Sequence, residues 1–198
     1  MRIHLPFNLQ KTTQALNFFA VRSGRMINKM KAIKLLYFAD RYHLRKFGRS
    51  ISNDDYYAME YGPVPSNGKD IAENSDFLGK HEKSYVEKYL KRSSNYDYKS
   101  IKPIDRDVLS ESDIEALEFA WETFKEFDQF QLADITHKYP EWQKHENQIT
   151  DRNSRIQMDY EDFFQDPGND DYFQIDAATK EDSLASLKES SSIEKLWK

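Results

Sequence analysis

Within the stretch KLLYFADRYH, Asp40 and His43 stand three residues apart, a spacing that puts both side chains on one face of a helix. A carboxylate and an imidazole so placed could share a proton or begin a metal site. Two ligands from one helix need others from elsewhere, whereas a buried hydrogen-bonded role needs no further residue, so the structural reading is preferred. His137 and His145 are separated by Pro140, which places them on different helices. The sequence has no Walker-type loop, no G-x-S-x-G elbow, no H-E-x-x-H and no G-x-G-x-x-G. Cysteine is absent, which removes a thiol nucleophile, a zinc–thiolate cluster and a disulfide framework. The expectation is a protein that is not an enzyme and holds no cofactor and no metal.

A second set of residues could do electrostatic work. Lys31, Lys34, Arg41 and Arg45 fall on one stripe of the same helix and could contact phosphates, and FDQFQLADITHKYP reads as the first helix of a helix-turn-helix. Against this, the chain carries a net charge of -5, and the following YPEWQKHENQ has no basic recognition face. A charged stripe is most often a solvated face. Nucleic-acid binding is therefore the alternative reading, as a transcriptional regulator, and not the leading one.

The elements that must carry these residues are mainly helical. TTQALNFFAVRSG places Ala15, Leu16, Phe19 and Ala20 at helical spacing, with Thr12 or Thr13 as cap and Gly24 as stop. The next helix runs from Asn28 as N-cap to Gly48 as C-cap, with Met30, Ile33, Leu36, Tyr37, Leu44 and Phe47 inward and the basic stripe outward. SESDIEALEFAWETF opens with a capping box from Ser110 to Asp113 and continues with Ile114, Leu117, Ala120, Trp121 and Phe124. Another helix carries Leu132, Ile135 and Thr136 and ends near Tyr139, before Pro140. SYVEKYLKR and YDYKSIKPI read as two strands joined by a polar turn. The fold class is mainly α (α+β), a compact helical domain with a small antiparallel β-sheet of two or three short strands.

YYAMEYGPVPSN is the least ordinary segment. Tyr57, Met59 and Tyr61 alternate as in a short strand, Gly62-Pro63 reads as the turn that ends it, and Pro65 leads into a weak helix capped by Ser66 or Asn67. The segment is a stiff corner, and a preordered loop loses less entropy when it binds a partner. After Trp142 the composition turns polar, and the domain edge falls near Gln165. The domain then spans 1–165, with 166–198 a polar extension. In that extension Leu184, Leu187, Ile193, Leu196 and Trp197 suggest a short amphipathic segment, and a frayed terminus is the default. No apolar run is long enough to span a bilayer and no signal-like start is present, so a soluble cytoplasmic protein with no membrane contact is expected.

KLLYFADRYHLRKFGRSISNDDYYAMEYGPVPS resembles the Panacea domain, also called SocA-like, in its K-L-L-Y-x-A-D helix, K-x-G-R-x-I turn and Y-G-P-V-P corner. LSESDIEALEFAWETF and QLADITHKYPEW are similar to its later helices, in the same order. The resemblance implies an antitoxin of a bacterial or phage toxin–antitoxin pair that neutralises a cognate protein toxin by direct binding. A proteolytic adaptor that delivers the toxin to a protease is a further alternative. The residues expected to form or support the toxin-facing surface are Tyr61, Gly62, Pro63 and Val64, with neighbouring Arg41 and Arg45. The homo-oligomeric state stays open.

Overall fold

The computed structural model describes residues 3, 5–168 and 172–196. Helix α1 (Leu9–Arg22) starts three residues before the expected threonines, because the Asn8 side chain caps it by accepting from the Lys11 N–H at 3.0 Å. Thr12 and Thr13 instead turn their hydroxyls back to the carbonyls of Asn8 and Leu9 inside the helix. Strand β1 (Met26–Asn28) leads straight into α2 (Lys29–Phe47), bounded as expected by Asn28 and by Gly48, whose φ is +66°. There follow β2 (Tyr56–Met59), β3 (Gly62–Pro65), α3 (Ser66–Glu73), α4 (Lys80–Val86), β4 (Leu90–Arg92) and β5 (Asp97–Ser100). The chain continues with α5 (Glu111–Phe124), α6 (Gln129–Thr136), α7 (Pro140–Glu146), β6 (Ile156–Gln157), a 3-10 turn at Tyr160–Phe164 and α8 (Ala177–Leu196). The Ser110–Asp113 capping box at the start of α5 is present.

The mainly helical fold with small antiparallel sheets holds, but the sheets are two: β1-β5-β4 and β3-β2-β6. SYVEKYLKR divides between the end of α4 and β4, so only its second half is strand. Gly62-Pro63 is not the turn. The turn is Glu60-Tyr61, and Gly62–Pro65 returns as β3, with Met59 opposite Gly62 and Tyr56 opposite Pro65. The two prolines fit because the Tyr56 carbonyl already accepts the Met158 N–H on the other side, at 2.8 Å. Tyr57 and Met59 therefore face β3, Gly62 and Val64 answer them, and Pro63 and Pro65 turn their donorless nitrogens to the open edge. Pro65, not Ser66 or Asn67, is the N-cap of α3, and it has no side chain to offer. The Asp54 carboxylate supplies the cap from a distance, accepting from the backbone N–H groups of Asn67 and Gly68 at 3.0 and 2.7 Å.

Helix α2 is the axis of the molecule, buried on nearly every side from Ala32 to Arg45. Phe38 stacks on Phe124 of α5 with centroids 4.0 Å apart, and Phe173 packs against both. The basic stripe is real, but it faces inward: Lys34, Arg41 and Arg45 are buried, and part-buried Lys31 donates to the Lys125 carbonyl at 2.6 Å. An exposed stripe needs a solvent side, and between Ala32 and Arg45 every residue of α2 but Tyr42 is buried. Arg41 Nε donates to Glu141 of α7 at 2.8 Å while its guanidinium lies over the rings of Tyr139 and Phe173. Arg45 donates to the carbonyls of Phe163, Gln165 and Phe173 and pairs with Asp166.

The segment beyond Gln165 is a packed part of this core, not a frayed end. Phe173 and Leu187 are buried, and α8 lies along α2 on a face made by Ser183, Leu187 and Ser191. Leu184 is partly buried, Ile193 and Leu196 are exposed, and Trp197 falls outside the described residues. The contact uses small residues because α8 comes very close at Gly48, where any Cβ would overlap the Ser183 carbonyl. Among the described residues no helix is long and apolar enough to cross a membrane.

Removing everything after Gln165 is expected to destabilise the domain severely. Emptying a single buried Phe site costs about 3–5 kcal/mol, and here Leu187 and two of the Arg45 partners, Asp166 and the Phe173 carbonyl, go as well. Thermal unfolding of the truncated chain checks this; an unchanged melting temperature would show that α8 adds nothing to the core.

Candidate partner-binding groove

Asp40 and His43 do not meet each other. Asp40 accepts from the Ile51 N–H at 2.7 Å, the Ser52 N–H at 3.2 Å, the Ser52 hydroxyl and the Tyr56 hydroxyl at 2.7 Å, which fixes the loop between α2 and β2. His43 bridges the Arg49 carbonyl at 2.6 Å and the Ser112 hydroxyl at 3.1 Å, with Asp113 at 3.3 Å. Burial lowers its pKa, so the ring is held neutral as a structural bridge. His137 ends α6 and His145 lies in α7, on separate helices as the intervening proline requires. Helix α7 buries Glu141, Trp142 and His145 against the core, so it is not presented as a recognition helix, and the inward basic stripe offers no phosphate-contacting face.

The corner residues have a different setting. The hairpin β2–β3 is fastened at both strands by side chains of α2 and α7. Trp142 Nε1 donates to the Met59 carbonyl at 2.9 Å, and Lys34 Nζ donates to the Pro63 carbonyl at 2.8 Å. Gly62, at φ +89°, lies so close to α6 that a Cβ would overlap the Thr136 hydroxyl. Gly62 and Pro63 are consequently buried, Val64 is half-buried, and Tyr61 at the tip is 56% exposed. Of the expected surface residues, Tyr61 and Val64 reach the outside, whereas Arg41 and Arg45 lie in the interior.

In front of the hairpin is a groove of about 590 Å³. Its walls are the start of α2 with Met30 and Ile33, the hairpin with Met59, Tyr61 and Val64, the edge of α3 with Lys69 and Glu73, the β4–β5 tip with Tyr96 and the start of α6 with Phe130. Tyr96 and Phe130 are 73% and 57% exposed. Three solvent-facing aromatics and two methionines around one concavity form the composition of a protein-binding surface. Tyr96 is held there because its carbonyl accepts the Lys29 N–H at 2.8 Å. Sequence reasoning reached the hairpin wall but not the walls from Tyr96 and Phe130. Their loops are far apart in the chain and show only as isolated polar-flanked aromatics.

At the groove wall Lys34 is 1% exposed, and burial pushes its pKa from 10.5 down to about 7. Burial also lowers His137 beside it, with the Lys34 charge acting in the same direction. The His137 ring stacks on Trp142 at 3.8 Å, which stiffens the back of the hairpin further. Among the described residues no cluster of three or more His, Asp or Glu could hold a metal ion.

Residues 33–143 match the family model described as antitoxin SocA-like, Panacea domain. The chain belongs to this family. No curated protein and no solved structure matches it. The Panacea match begins within α2 and ends within α7, so it covers the core helix, the hairpin, α5 and Glu141, more than half of the chain. The parts outside it, α1 and α8, both pack on α2.

Two measurements test the geometry. Gly62→Ala is expected to lose more than the ~1 kcal/mol of an ordinary glycine replacement, since both φ and the Thr136 contact oppose a side chain. Urea midpoints of the wild type and the variant decide it. For Lys34, the unfolded chain keeps its proton up to about pH 10.5 while the folded chain releases it near pH 7. Folding stability therefore rises with pH across that window, by at most about 1.4 kcal/mol per pH unit for this group, and Lys34→Met is expected to remove most of the rise, leaving the part contributed by Lys31, which burial also lowers. Asp54, raised by burial to about 7, acts below the window, and the buried tyrosines, raised from 10.0, act only at its upper end and above it. A wild-type stability flat across the window would reject the assignment.

Proposed function

We propose that this protein is the antitoxin of a bacterial or phage toxin–antitoxin pair, that it works in the cytoplasm by binding its cognate protein toxin, and that it performs no catalysis. The observation that carries this is the groove: exposed Tyr61, Tyr96 and Phe130 around a concavity whose hairpin wall is fastened by hydrogen bonds from α2 and α7. A wall already fixed in place loses little entropy on docking, and large aromatics supply contact area with few rotatable bonds. The Panacea family assignment supports the nature of the partner. In this reading Tyr61 and Val64 touch the toxin, Gly62 and Pro63 set the hairpin's shape, and Arg41 and Arg45 support it from inside.

Co-expression with the product of the adjacent gene, read by growth and by co-purification, tests the proposal. Rescue of growth with an isolable complex is expected. Tyr61→Ser, Phe130→Ser and Val64→Asp are each expected to weaken the complex about tenfold or more while leaving the melting temperature within a few degrees of wild type. Folded variants that neutralise as well as wild type would place the contact surface elsewhere.

A further inference from the structure

Three cations of α2 lie on one buried stripe, seven and four residues apart, and two of them have a carboxylate. Arg41 has Glu141, and Arg45 has Asp166. Lys34, the third, has a neutral partner, the Pro63 carbonyl, and burial alone accounts for its lowered pKa. His137 at the end of α6 feels its charge, and the other charged groups that line the same groove are Lys29 on its own helix, Glu60 at the hairpin tip, and Lys69 and Glu73 on α3. Glu73 is committed to Lys69 at 2.8 Å and has Lys29 at 4.0 Å, and Glu60 is exposed at the groove's rim. The stripe member that lacks a carboxylate is thus the one that lines the groove.

We infer that Lys34 is the anion-binding element of the groove, and that the toxin inserts an acidic side chain among Met30, Tyr61 and Val64 to pair with it. The inference rests on the toxin-binding reading and names the chemistry of the inserted residue. Burying an ammonium against a lone carbonyl destabilises the free protein, and a carboxylate delivered by a partner supplies the missing half of the pair. Lysine suits the task. Its four-carbon stem can swing the ammonium from the Pro63 carbonyl towards the groove, which a rigid guanidinium fork cannot do as easily. A chain with a net charge of -5 would otherwise repel an acidic segment, so a cation at the groove wall also sets where such a segment docks.

The test has two arms. In the first, the full-length protein is titrated with acetyl-Phe-Glu-amide and with acetyl-Phe-Gln-amide while the Lys34 ¹³Cε resonance, assigned by its loss in Lys34→Met, is followed against pH. The glutamate probe is expected to raise the Lys34 titration midpoint by about one unit or more, and the glutamine probe to leave it in place. Equal effects of both probes, or no effect of either up to their solubility limits, would overturn the inference. In the second arm, Lys34→Met also takes the donor from the buried Pro63 carbonyl, so no gain in urea midpoint is expected, and the folded variant is expected to bind the adjacent-gene toxin about tenfold or more weakly. A folded variant that neutralises equally well would overturn the inference and leave the antitoxin reading standing. If neither protein binds the toxin, the antitoxin reading fails, and the peptide titration still decides the role of Lys34.

Discussion

A helix that buries three cations cannot be closed by apolar packing alone. In a low-dielectric interior each charge must meet a carboxylate or several carbonyl oxygens or, as at Lys34, hold its proton less tightly, and the free-energy penalty of leaving one bare exceeds that of most single contacts in the core. Helix α2 imposes this demand, and much of the later chain is arranged to meet it. Glu141 is brought in by α7, the carbonyls of Phe163 and Gln165 by the 3-10 turn and its exit, and Asp166 and the Phe173 carbonyl by the approach to α8. The aromatic cluster of Tyr37, Phe38, Phe124, Tyr139 and Phe173 fills the space between these polar contacts, and the Arg41 guanidinium lies over two of its rings.

The same demand shapes the groove. Its hairpin wall is fixed by a cation of the α2 stripe and by the indole of α7, the helix that also carries the Glu141 partner of Arg41. The binding surface and the core are therefore mechanically one object: a change that moves α7 moves both the buried ion pair and the Met59 carbonyl. That coupling explains how a hairpin of two four-residue strands can serve as a rigid wall, when an isolated pair of strands is only marginally stable in water. The open edge of β3, where Pro63 and Pro65 offer no donor, also resists pairing with another strand.

Much of the helical framework was legible in the sequence. Asn28 and Gly48 bound α2, Ser110 and Asp113 open α5, and Pro140 separates α6 from α7, because caps and prolines act through hydrogen bonds within a few residues. The family was legible too, since its motifs are themselves local strings. The hairpin was half legible. Alternation gave β2, but Gly62-Pro63 looked like a turn because an edge strand that accepts two prolines is recognised only once its neighbour is known. For the groove, Tyr61 and Val64 were visible as an exposed corner, while Tyr96 and Phe130 belonged to no local pattern.

What the sequence by itself determined is therefore the set of short-range choices: where helices start and stop, which segments alternate, and that Lys34, Arg41 and Arg45 share one stripe. What only the tertiary structure decided is the direction in which that stripe points. Helical periodicity fixes the relative angle of side chains about an axis but not which side of the axis meets water, and α2 is covered by chain neighbours such as α1 and α3 together with the distant α5, α6 and α8. Glu141 and Asp166, one hundred or more residues away, make the buried arginines tolerable. The fate of the last helix followed from the same cause, since its buried face is Ser183, Leu187 and Ser191, with Ser183 set against Gly48. A close approach of that kind is set by the shape of the other surface and leaves little trace in local hydrophobic pattern.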